Sequence, residues 1–93
     1  MPQFEVAHVR EQGVDLIIIP LQSSFGSKST SDQNQIAAEL QLRSRSAGLR
    51  GTVVPVWDSG GGMRFLAPQG FHPFFRSISI DFVARNINRK LSW

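Results

Sequence analysis

Residues 57–62 read WDSGGG, and Asp58-Ser59-Gly60-Gly61 follows the order in which trypsin-like serine proteases present their nucleophile. A serine hydroxyl becomes nucleophilic only beside a base that is itself oriented by a third group. His8 and His72 are the two histidines, and nothing in the sequence orients either one toward Ser59. That protease class also needs two barrels, for which 93 residues leave no room. The strand–turn–helix elbow of other hydrolases fails too, because "MRFLAP" (63–68) reads as a further strand. The sequence therefore predicts a glycine-rich hairpin loop, and no catalytic residue is assigned.

A second stretch, "SSFGSKSTSD" (23–32), brings Lys28 and several hydroxyls to the start of a helix, where unpaired N–H groups and the dipole favour an anion. It is not a phosphate-binding loop of the Gly-Lys-Ser/Thr type, since Ser27 separates Gly26 from Lys28. The candidate ligand-binding set is Ser27, Lys28, Ser29 and Ser31 for charge and hydrogen bonds, with Trp57 and Phe74 for apolar contact. The plain alternative is a solvated loop ending in a helix cap. His72 lies nearby in sequence to Phe74, in "GFHPFF", but no partner for acid or base chemistry is placed beside it.

Arg85, Arg89 and Lys90 form an alternative, polyanion-binding set, with Arg43, Arg45 and Arg50 as further cations. No aromatic pair of the RNA-binding type, helix-turn-helix or zinc finger accompanies them, so nucleic acid is the weaker expectation. The net charge of +3 permits a polyanion without demanding one. Cysteine is absent and the two histidines lie far apart, so no metal site and no cofactor are expected. The longest apolar run, "LIIIPL" (16–21), is too short to cross a bilayer, and "MPQFEVAHVR" is unlike a secretory signal. The expectation is a soluble, cytoplasmic protein that forms one domain over 1–93.

These residues need a scaffold. "FEVAHV" (4–9) alternates, "VDLIIIPL" (14–21) is β-branched, and Gly13 between them suits a hairpin turn. A helix is predicted at 32–47, capped by Ser31 or Thr30, with Ile36, Ala37, Leu40, Ser44 and Ala47 inward. Gly48 and Leu49 supply its Schellman-type end. "GTVVPVWD" (51–58) is a third strand, and Pro55 places it at an edge or a bulge. Residues 63–68 are a fourth. The tail alternates like a strand through Ile78, Ile80 and Phe82, yet Ile80, Val83, Ala84, Ile87 and Leu91 also fall at helical spacing. Its end signals favour a helix at 79–91. The fold class is α+β, in the order ββαββα: a four-stranded, largely antiparallel sheet with two helices.

Strands 14–21 and 51–58 are apolar on both faces, more than two helices on one face can cover. Phe65, Phe71, Phe74, Phe75 and Phe82, with Trp57 and Trp93, add aromatic surface that either folds onto the core or lines a pocket or subunit contact. The sequence thus predicts a non-catalytic binding or interaction module acting as a homo-oligomer, most simply a homodimer, with a small-molecule or anion-binding protein or a small enzyme as the alternative and no membrane partner. Residues 38–93, from "AELQLRSRSAGLRG" to "NINRKLSW", resemble the small proteins carried on integron gene cassettes. The resemblance implies a bacterial, mobile-element origin and a compact, often oligomeric α+β unit, and it assigns no functional residue.

Overall fold

The structure is a computed structural model that describes residues 3–92; Trp93, grouped above with the aromatics, lies outside them. Gln3–Glu11 (β1) and Val14–Leu21 (β2) form the expected hairpin. Its two-residue turn, Gln12 and Gly13, has φ of 53° and 76°, the left-handed pair that matches the twist of antiparallel strands. The register runs from Glu11 opposite Val14 to Ala7 opposite Ile18. In such a hairpin every second pair is hydrogen-bonded, which here means Glu11/Val14, Val9/Leu16 and Ala7/Ile18. The next would be Glu5/Pro20, and Pro20 has no N–H to donate. There the ladder ends, and the first half of β1 pairs on its other edge instead.

Thr30–Ser46 (α1) carries the chain across to Thr52–Asp58 (β3), which lies parallel to β2. Met63–Phe65 (β4) pairs antiparallel with β3. His72–Ser77 (α2) and Ile80–Arg85 (α3) follow, and Arg89–Ser92 (β5) pairs with Gln3–Val6 of β1. The sheet is therefore mixed and five-stranded, in the order β4-β3-β2-β1-β5. The α+β class holds. The four-stranded ββαββα arrangement with two helices does not, because the helix expected at 79–91 stops at Arg85. Asn88 explains the change: its backbone N–H donates to the Val6 carbonyl, and its side chain bonds both the N–H and the C=O of His8. This contact pulls the tail into strand geometry, and Leu91 is buried opposite Phe4.

Pro55 is buried in β3, an interior strand, and not at the sheet's edge. Its carbonyl accepts from Leu66 N–H, so its missing donor points to the β4 side, just past the end of that short strand. Further along the same side, Gln41 of α1 substitutes for a strand by donating to the Gly51 carbonyl and accepting from Val53 N–H.

Helix α1 starts two residues earlier than expected. Ser29 is the cap, its Oγ accepting from Asp32 N–H at 3.1 Å, which places Thr30 and Ser31 inside the first turn. The C-terminal end is the Schellman arrangement: Leu49 N–H bonds Ser44 O, Gly48 N–H bonds Arg45 O, and Gly48 has φ of 83°. Leu40 and Ser44 are buried and Ile36 and Ala37 half-buried, whereas Ala47, expected inward, is exposed.

Both faces of the sheet are covered within one chain. On the α1 side Val6, Ile17, Ile19, Val53 and Leu91 pack with Leu40. On the other, Ala7, Leu16, Ile18, Val54 and Val56 pack with Phe75 of α2 and Val83 of α3. The aromatic segment is thus a lid on the core, and among the described residues each face of the sheet has cover from its own chain.

Candidate functional site

The WDSGGG stretch closes the β3–β4 turn on itself. Asp58 Oδ1 accepts Gly60 N–H at 2.8 Å, while Ser59 donates to the Gly62 carbonyl from both its Oγ (3.0 Å) and its N–H (2.9 Å). Both histidines are engaged elsewhere. His8 Nε2 donates to the Arg50 carbonyl at 2.7 Å and His72 Nε2 to the Ala67 carbonyl at 3.0 Å. His72 also stands edge-on to Phe65, at 5.2 Å between ring centroids.

The predicted ligand-binding residues are divided among three places. Trp57 and Ser27 line a shallow hollow with Asp58, Ser59 and Arg64. The indole there is mostly a packing surface: it meets Phe25 at 4.9 Å, and a Cβ on Gly26 would stand 2.5 Å from its Nε1. Ser27 Oγ donates to the Ser24 carbonyl, Ser29 Oγ is spent on the helix cap, and Ser31 is exposed. Phe74 lies across the sheet, packed on Phe75 at 5.1 Å and Phe82 at 6.3 Å. Lys28 faces a different cavity. The polyanion set is also divided: Arg85 ends α3, while Arg89 and Lys90 are consecutive strand residues and point to opposite faces.

The cavity beside Lys28 is a well-defined concave feature of the fold. Its volume is about 700 Å³, within the ordinary range for small-molecule sites. It opens where β1 and β2 part company. It is lined by Phe4 and Glu5 of β1 and Pro20 and Leu21 of β2, together with Phe25, Ile36, Leu40 and Ile87. A 3₁₀ helix, Ser23–Ser27, brings Phe25 into the core, and Gln33 of α1 holds it there by donating to the Phe25 carbonyl at 3.0 Å. Leu40 and Phe25 are buried, and Phe4, Leu21 and Ile36 are half-buried.

Three charged side chains border this apolar space. Glu39 is paired with Arg43 at 3.8 Å, and Glu5 stands opposite Lys90 across the β1–β5 pair. Lys28 has neither an ion pair nor a side-chain hydrogen bond among the described residues. The rim of this apolar groove thus carries one cation, Lys28, and one carboxylate, Glu5, neither with an ion pair among the described residues. Among the described residues no group of three or more His, Asp or Glu is placed to hold a metal ion, and no helix is long and apolar enough to cross a membrane.

Sequence reasoning singled out Lys28 but missed the fork beside it. The signal was Pro20, a residue that removes a ladder donor near the end of an otherwise continuous strand. Compared with known proteins, the chain matches no family model, no curated protein and no solved structure.

Proposed function

We propose that this protein is a non-catalytic binding module that takes a small amphipathic anion, an apolar body bearing one carboxylate, into the cleft between β1 and β2. The observation that carries the proposal is Lys28, unpaired at the mouth of a groove walled by Phe4, Leu21, Phe25, Ile36 and Leu40. Burial of an alkyl chain against those walls contributes about 0.8 kcal/mol per methylene, and the ammonium orients the acid end. Engagement of His8 and His72 by backbone carbonyls supports a receptor over an enzyme. The proposed binding unit is the single chain, since the sheet carries cover on both faces.

Calorimetric titration with octanoate, octylamine and octanol is the test. Octanoate is expected to bind and to raise the melting temperature, octanol to bind more weakly, and octylamine to bind least. Equal binding of all three, or of none, would refute the charge-anchored cleft.

A further inference from the structure

The second concentration of unspent charge is at the other end of the sheet, where the β1–β2 turn meets the end of α1. Alternation along β1 places His8 and Arg10 on the α1 side, and Arg89, opposite Val6, lies on the same side one step from His8. His8 Nε2 donates to the Arg50 carbonyl, which ties the segment after α1 to this margin of the sheet. Arg50 and Arg45 then line one hollow of about 440 Å³ with Gly48 and Gly51. Strand and helix end together gather Arg10, Arg45, Arg50 and Arg89 around His8.

None of these four guanidinium groups has an ion pair among the described residues. Arg10 and Arg89 donate only to backbone carbonyls, of Gly13 and Asn88. A guanidinium has five N–H donors, so each keeps several free. One acid faces the group from the neighbouring strand: Asp15, opposite Arg10.

We propose that this margin binds the phosphodiester backbone of a nucleic-acid duplex. The planar guanidinium fork matches phosphate oxygens, and four such groups on one margin of the sheet suit a run of backbone phosphates. A protein partner would be expected to find an aromatic anchor, and single strands an aromatic stacking platform. Among the described residues the large exposed apolar side chains are Val14 and Leu42, and neither belongs to this group. The site is separate from the cleft at Lys28, and each can fail without the other.

Fluorescence anisotropy with labelled random-sequence duplex and single-stranded oligonucleotides, over a salt series, tests it. The duplex is expected to bind at least as tightly as the single strand. Four phosphate contacts give a slope of log affinity against log salt of about −3.6. Arg50→Gln/Arg89→Gln is expected to lower that slope by about 2. Arg85→Gln/Lys90→Gln, which removes the same charge elsewhere, is expected to leave it unchanged. Circular dichroism melting confirms that both variants fold. Absence of binding by the parent at low salt, equal loss in both variants, or equally tight binding of polyglutamate-displaceable label at all salt concentrations would overturn the assignment.

Discussion

The two faces of the sheet are covered in different ways. One carries a single helix of 17 residues, capped at both ends and locked to β3 through Gln41. The other carries two helices of six residues each, too short to hold themselves in water, pinned by Phe75 and Val83. The first face is organised by local signals and the second by tertiary packing. Stability should therefore respond to aromatic truncation on one side and to polar truncation on the other.

The largest effect is expected from Phe75→Ala. Phe75 is 1% exposed and contacts Phe65 and Phe74 at centroid distances of 5.4 and 5.1 Å. Loss of about 3–5 kcal/mol in urea unfolding is expected, the usual cost of a buried Phe→Ala change. Native-state hydrogen exchange should then show α2 and α3 losing protection before α1 does. A uniform loss across both helical layers would break the distinction between the faces.

Gln41→Ala comes next. It removes two hydrogen bonds and leaves the buried Val53 N–H without its partner, a loss of about 1–3 kcal/mol. Ser29→Ala, which deletes the cap on Asp32 N–H, should cost about 1 kcal/mol in the same assay, whereas Ser31→Ala should be nearly silent. Equal losses at Ser29 and Ser31 would contradict the observed helix start.

The same contrast explains what could be read from the sequence. Helix α1 was legible because its signals are local: inward Leu40, the Gly48–Leu49 end, and a serine-rich start wrong by only two residues. The hairpin was legible through its alternation and Gly13. The tail was not. Helical and strand spacings coexist there, and the choice falls to Asn88 and His8, 80 positions apart in the chain. The candidate site shows the same limit. Lys28 stands out by type, but its neighbours Phe4 and Leu21 come from strands whose ladder ends before Pro20, which has no N–H to continue it. The pairing expected with Trp57 and Phe74 fails because those two residues lie on opposite faces.

Pro20 ties fold to site, and its replacement is the smallest structural change with a functional readout. Pro20→Val restores a donor opposite Glu5, lets the β1–β2 ladder extend, and is expected to add about 0.5–1.5 kcal/mol of stability. It should also narrow the cleft. The most direct measurement is an amide chemical-shift titration of the parent, Pro20→Val and Lys28→Gln with octanoate. In the parent, shifts are expected to concentrate at Phe4, Leu21, Phe25, Lys28 and Ile36; Lys28→Gln should weaken binding about tenfold, and Pro20→Val should abolish it while remaining folded. Shifts centred on Trp57 or Phe74, or undiminished binding by both variants, would contradict the account.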